Sequence, residues 1–184
     1  MAVQLARYRI STDEYEQMIA AGVFAEDLRI ELIDGEIIAM PPIGDGHVGV
    51  LNLLVDDLYA QTHGVVSISV QNPIRIPPYG EPQPDVALIR RIAMRRGVPG
   101  IDDILLVTEI ADTSADYDRK IKLPMYAAAG IPEAWFIDIR SRVIERHAER
   151  LAGSYRQVAS ARRERSLTST VLPELTIRAS LIFD

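Results

Sequence analysis

The spacing of apolar residues changes several times along the chain, and each change marks an element. Ser11-Thr12-Asp13-Glu14 carries an N-cap hydroxyl with a glutamate three residues on, a capping box. It predicts a helix to about Ala21, ended by Gly22. Arg29–Ile33 and Glu36–Met40 are apolar runs flanking Asp34-Gly35, the strongest short-range hairpin signal, and Pro41-Pro42 stops the second strand. From His47 to about Gln61 the spacing turns helical, with Val48, Leu51, Leu54, Val55 and Leu58 on one stripe before Gly64. Val65–Val70 and Pro73–Ile76 predict short strands, and Pro77–Gly80 a loop.

Asp85–Ile89, Ile104–Glu109 and Trp135–Ile139 are nearly continuous apolar runs. Strands buried on both faces look like this, so a central mixed sheet with helices on each side is expected. A helix is predicted over about Ala115 to Ala129, ended by Gly130 and Pro132, with Pro124 kinking or dividing it. Val143–His147, Tyr155–Ala159, Leu167–Ser169 and Leu175–Arg178 read as a C-terminal β extension, with Leu172-Pro173 as a turn. The expected class is therefore α/β: a central mixed β-sheet flanked by helices.

Composition narrows the chemistry. The 184 residues, 48% hydrophobic and 25% charged, suit one folded domain over 1–184 and argue against disorder. With no cysteine, disulfides, thiol catalysis and Cys-ligated metal sites are excluded. The N-terminal stretch lacks the apolar core of a signal peptide, and no apolar run approaches membrane-spanning length, so a cytoplasmic protein is expected. A net charge of −6 argues against a broad nucleic-acid-binding surface.

Against that acidic background, carboxylates beside buried strands stand out. Asp85 opens one apolar run directly after Pro84, and Glu109 closes another. If the strands are neighbours, the two carboxylates face each other closely enough to share a divalent ion, and oxygen ligands suit Mg²⁺ or Mn²⁺. The competing reading makes Asp85 a turn cap and pairs Glu109 with an arginine. In Asp118-Arg119-Lys120-Ile121-Lys122-Leu123-Pro124-Met125-Tyr126, residues 118, 122 and 126 share one helical face, with Lys120 roughly opposite. A helix following the Glu109 strand can return Lys122 over the strand ends, where an ammonium stabilises negative charge on a phosphate. The plain alternative is an Asp118–Lys122 surface pair worth about 0.3–0.5 kcal/mol.

These pieces occur together with Glu31-Leu32-Ile33-Asp34-Gly35-Glu36, His47, Pro84-Asp85, Glu109-Ile110-Ala111-Asp112-Thr113-Ser114 and Gly130-Ile131-Pro132-Glu133-Ala134-Trp135-Phe136-Ile137-Asp138. In that order they resemble the bacterial Uma-two family of restriction-type endonucleases, within the PD-(D/E)XK nuclease superfamily. No single piece is specific; their joint order from about Tyr8 to Leu181 is.

The resemblance implies a restriction-endonuclease-like fold and metal-dependent hydrolysis of DNA phosphodiester bonds, with Asp85 and Glu109 as ligands of Mg²⁺ or Mn²⁺. Glu31 matches the family's N-terminal glutamate, as a ligand or a water-orienting group. The superfamily lysine two residues after the glutamate is replaced by Ala111. Lys122 in the Asp-Arg-x-x-Lys-x-x-x-Tyr register takes its place, with Lys120 in reserve. A homodimer is expected, since cutting two strands readily uses two copies of one site. Alanine at Asp85, Glu109 or Lys122 is expected to abolish cleavage and leave the fold intact. The rival readings are a nuclease-fold module that binds nucleic acid or protein without cutting, and a hydrolase of smaller phosphate esters.

Other residues carry weaker signals. His47 opens a helix and is a candidate for touching a phosphate or orienting a site carboxylate. His63 and His147 show no partner spacing and read as surface groups, and Trp135 reads as core. Asp112, Thr113 and Ser114 are expected to form the loop and N-cap before the Asp118 helix. Of two basic clusters, Arg90-Arg91 with Arg95-Arg96 lies near Asp85 in sequence, and Arg162-Arg163 with Arg165 lies near the C-terminus. Both read as solvated faces, or, for the first, as contacts to a DNA backbone that carry no sequence information.

Overall fold

The computed structural model describes residues 6–25, 27–62, 64–91 and 97–184, so His63, Arg95 and Arg96 lie outside it. Its centre is a six-stranded mixed sheet of β3 (Val66–Val70), β4 (Val86–Arg90), β5 (Ile104–Ala111), β6 (Ala134–Asp138), β7 (Val143–Leu151) and β8 (Ser154–Ala161), in that spatial order. Only β5 and β6 are parallel; all other pairs are antiparallel. A parallel pair needs a long crossover. It is supplied by α3 (Ala115–Tyr117), a π-helical turn (Asp118–Lys122) and α4 (Leu123–Ala129), ended by Gly130 at φ 108°.

Side-chain alternation divides the sheet residues between two apolar layers. Val86, Leu88, Leu106, Ile110, Trp135 and Ile137 pack against Leu51, Leu54 and Leu58 of α2 (Asp45–Thr62). Ala87, Ile89, Val107, Ala111 and Phe136 face Leu123 and Tyr126 of α4. The same parity aims Glu109 at the α4 layer. Trp135 is core, and its indole N–H donates to the wholly buried Glu133, 2.6 Å away. The other Glu133 oxygen accepts the Thr170 N–H, which ties the C-terminal loop to the sheet.

Before the sheet come α1 (Thr12–Ala20), with its Ser11–Glu14 capping box formed, and the hairpin β1 (Ile30–Ile33) to β2 (Glu36–Ala39). Asp34 at φ 51° and Gly35 at φ 81° make the primed two-residue turn expected of Asp-Gly. The Gly35 carbonyl accepts from Ile10 and its N–H donates to Tyr79, so the turn is stapled to two other segments.

Three expectations need correction, and one helix is added. Val48 is exposed and Val50 buried, because the first turn of α2 projects past the sheet edge. Residues 73–76 form isolated bridges rather than a strand, since prolines 73, 77 and 78 withhold ladder donors, although Ile74 and Ile76 are core. β7 and β8 complete the central sheet, so only the small ribbon of β9 (Ser166–Thr168) and β10 (Thr176–Arg178) stands apart as an extension. A short α5 (Ala179–Phe183) follows it with no start signal in the sequence. Among the described residues no helix is long and apolar enough to cross a membrane.

A Cβ at position 35 would lie 2.7 Å from the Arg9 Cβ, in a backbone conformation hostile to L side chains. Gly35→Ala is expected to cost roughly 1–3 kcal/mol in urea unfolding. An unshifted midpoint would show that the hairpin is not held there.

Candidate active site

Pro124 shapes the segment that carries the site lysine. It lacks an N–H and crowds the carbonyl four residues back, so an undisturbed α-helix cannot run through it. The chain widens into a π turn instead, where the Leu123 N–H bonds the Asp118 carbonyl five residues earlier. Pro124 then sits in the first turn of α4, where proline is tolerated. The helix is thus divided as expected, but by widening. Asp118, Lys122 and Tyr126 all point inward and are buried.

The Lys122 ammonium lies between two carboxylates, 2.9 Å from Glu31 Oε1 and 2.8 Å from Glu109 Oε1, with its side chain only 1% exposed. The Tyr126 hydroxyl also donates to Glu109 Oε1. The Glu31 oxygen that takes the lysine accepts the Gln83 N–H as well, at 2.6 Å. One strand away, Asp85 lies a step beyond the Val86–Thr108 pair, which sets it across from Glu109. Its Oδ2 accepts the Ile110 N–H at 2.8 Å, and His47 Nε2 lies 2.8 Å from Oδ1. Asp118 accepts a hydrogen bond from the Ser114 hydroxyl at 2.6 Å.

The four residues picked from sequence therefore converge: Glu31, Asp85, Glu109 and Lys122 meet at the C-terminal end of β5. His47 joins them as a partner of Asp85. Lys120 does not; its side chain is 70% exposed and pairs with Asp116. Glu109 lies within β5, which continues two residues further to Ala111. The Ser114 hydroxyl is engaged as a donor to Asp118. His147 is half-buried, not a free surface group, and bonds Glu145 at 3.0 Å. Asp118, Tyr117 and the Gln83 backbone escaped the sequence reading, which gave Tyr126 no role. The shared face of 118, 122 and 126 was the available signal for two of them.

Asp85, Glu109, Lys122, Asp118, Tyr117 and His47 line a cleft of about 490 Å³. Its other wall is apolar, formed by Ile38, Met40, Pro41, Pro42 and Ile43. Asp112, paired with Arg140, stands at its mouth.

Electrostatically the cluster is short of positive charge. Burial pushes the Glu109 carboxyl well above its ordinary range; Lys122 opposes this, while Asp85, Asp118 and Glu31 add to it. Burial likewise raises Asp118, against the Ser114 hydrogen bond. Burial alone would lower Lys122, but Glu109 and Glu31 outweigh it, so the ammonium is retained. Burial, with Glu31 nearby, raises the Tyr117 phenol to about 12. Glu31 Oε2 and the Tyr117 hydroxyl are buried with no hydrogen-bond partner among the described residues.

Carboxylate oxygens are the donor type a hard divalent cation prefers. Among the described residues no three His, Asp or Glu side chains converge closely enough to hold an ion unaided. Asp85 and Glu109 together with water and a ligand oxygen fit Mg²⁺, which usually binds through one or two carboxylates.

Comparison with known proteins agrees with the fold. A family model described as "Uma2: Putative restriction endonuclease" matches residues 12–180. The chain belongs to the Uma2 family. No curated protein is significantly similar to this Uma2 chain. Among solved structures, a "putative nuclease belonging to DUF820" from Anabaena variabilis ATCC 29413 superposes with a TM-score of 0.75 at 13% identity, covering 95% of this chain and 97% of that one. That likeness shows that the two chains share a fold.

Two stability measurements probe the cluster. The expectation that Lys122→Ala leaves the fold intact is revised, because removing the ammonium strands Glu31 and Glu109 in the interior. Lys122→Met should cost about 3–5 kcal/mol in urea unfolding. A loss below 1 kcal/mol would mean the pair is not buried as described. Asp118 works with the opposite sign. Its raised pKa means the native state holds the proton more tightly, so its contribution favours folding in acid and is lost as pH climbs from 3.8 through the raised value. In EDTA, Asp118→Asn should melt a few degrees above the parent at neutral pH, and the gap should close in acid. A gap that widens in acid would reverse the assignment.

Proposed function

We propose that this Uma2 protein is a metal-dependent endonuclease that hydrolyses DNA phosphodiester bonds with Mg²⁺ or Mn²⁺. The observation that carries the reading is the convergence of Asp85 and Glu109, from adjacent strands, with the ammonium of Lys122 at the base of one cleft. The order of its motifs supports a kinship with the PD-(D/E)XK nucleases, with the lysine supplied by the helix after β5 in place of Ala111. Cytoplasmic work on DNA suits a chain without cysteine, and a homodimer suits two cuts by one site.

Asp85 and Glu109 hold the ion in this reading; when bound, it polarises the scissile phosphate and lowers the pKa of an attacking water. The chain's own groups prepare the rest. The Ile110 N–H and His47 fix the Asp85 carboxylate from both oxygens. Tyr126 and Lys122 share Oε1 of Glu109, and among the described residues no hydrogen bond reaches its Oε2. That oxygen remains for a ligand. Lys122 carries its charge next to the reacting phosphate, where preorganised positive charge stabilises the transition state most. Glu31, locked by the Gln83 N–H, keeps Lys122 in place while Glu109 turns to its ligand. The wall from Ile38 to Ile43 gives the cleft an apolar side facing these charges.

The modest cleft supports a second reading, hydrolysis of a smaller phosphate ester, since volumes of this order suit small molecules. Incubation with plasmid DNA separates the two. Nicking or linearisation is expected with Mg²⁺ or Mn²⁺ and none with EDTA, and Asp85→Ala or Glu109→Ala should lower the rate by more than about a hundredfold. Cleavage in EDTA, or an Asp85→Ala protein cutting at the parent rate, would end the metal-nuclease reading. Hydrolysis of p-nitrophenyl phosphate without any DNA cleavage would favour the smaller ester.

A further inference from the structure

The sheet carries Arg90-Arg91 and the C-terminal arginines to opposite ends. Arg90 ends β4, five residues beyond Asp85 on an extended strand, and bonds the Asp102 carbonyl; Arg91 bonds the Gly64 carbonyl. At about 3.3 Å per residue that is roughly 17 Å from the carboxylates, on the far edge. Proximity in sequence therefore misleads for this pair.

The C-terminal cluster lies at the site's end. β6 runs parallel to β5, with Asp138 beside Ala111, so the loop after β6 emerges where the cleft opens. β8 ends at Ala161, paired with Ile144 of β7, and Arg162 then donates to the Ser141 carbonyl at 2.9 Å. Arg142, Arg162 and Arg163 line a cavity of about 250 Å³ with Ser141, Ser180 and Asp184. Asp184 pairs with Arg142, and the Ser180 hydroxyl donates to Glu164. Among the described residues no carboxylate pairs with Arg162 or Arg163, although both are exposed in an acidic protein. Arg140, beside Ser141, reaches back to Asp112 at the cleft mouth. A basic edge thus connects the cavity with the cleft.

We infer that the Arg142–Arg162–Arg163 cavity is a phosphate-binding subsite for the polynucleotide backbone flanking the cleft, an inference that rests on the nuclease reading. Guanidinium groups are well matched to phosphate, and two of the three lack a competing carboxylate. β5 and β8 are three strand spacings apart, roughly 14 Å. With about 3.4 Å of axis per phosphate on one strand, a polynucleotide in the cleft reaches the cavity about four phosphates away. The subsite then acts on chains and not on short esters.

The test compares Arg162→Ala/Arg163→Ala with a charge-matched pair at the far edge, Arg90→Ala/Arg91→Ala. Binding of a fluorescent 20-nucleotide DNA is followed by anisotropy in EDTA over a salt series. The first pair should weaken binding about tenfold and flatten the slope of log K against log salt by about 2, while the second changes neither. Hydrolysis of bis(p-nitrophenyl) phosphate should be the same in both. Equal weakening by the two pairs would reduce the effect to net charge and overturn the subsite. Unchanged binding in the first pair, or no DNA binding by the parent protein, would overturn it as well. A contrast in binding without metal-dependent cleavage by the parent would uphold the subsite and defeat the nuclease reading alone.

Discussion

A single buried ammonium, Lys122, holds three parts of the chain together: the N-terminal hairpin through Glu31, the central sheet through Glu109, and its own crossover helix. Taking these charges out of water is costly, and a pair of this kind persists only with close geometry and further hydrogen bonds. Those bonds come from the Gln83 N–H and the Tyr126 hydroxyl. Around the lysine, the carboxylates of Glu31, Glu109, Asp85 and Asp118 outnumber the positive charge. That excess of buried acid is more than the fold needs for a cross-link, and it marks the cluster as a candidate site as well as a tie between elements.

The geometry depends on two backbone constraints. One is sheet register: an antiparallel β4–β5 pair sets Asp85 opposite Glu109, and a slip of one residue would turn Glu109 toward the α2 layer. The other is the π turn enforced before Pro124. π turns cost regular hydrogen bonding and recur at functional sites. Here the turn carries Asp118 and Lys122, both buried, before α4 resumes with Tyr126 one turn on.

Much of this was legible from local chemistry. The Asp-Gly turn, the Ser11–Glu14 box and the three apolar runs announce elements whose causes lie within a few residues. Asp85 and Glu109 were visible because a carboxylate beside a buried strand is anomalous. What escaped depends on contacts distant in sequence: Glu31 and Lys122 are 91 residues apart, and nothing local says that they share a hydrogen bond. The family resemblance supplied Glu31 and favoured Lys122 over Lys120, where helix periodicity alone gave only opposite faces. The membership of β7 and β8 in the central sheet was hidden for the same reason, since alternation on a half-exposed strand names no partner. Val48 was misplaced because periodicity gives a face and does not say where a helix overruns its sheet.

The net charge of −6 first argued against a polyanionic partner, and the structure shows why a sum over the chain is a poor guide. Four acids are gathered in one buried cluster, where their field is answered by Lys122 and by whatever cation the cleft admits. Arg162 and Arg163 stand on the same sheet end, and among the described residues no acid pairs with them. The roughly 14 Å between β5 and β8 separates the buried acids from the arginine edge, so a phosphate chain would meet each in turn. Attraction on such a protein is local, so the sign of its surface at one sheet end matters more than the total it carries.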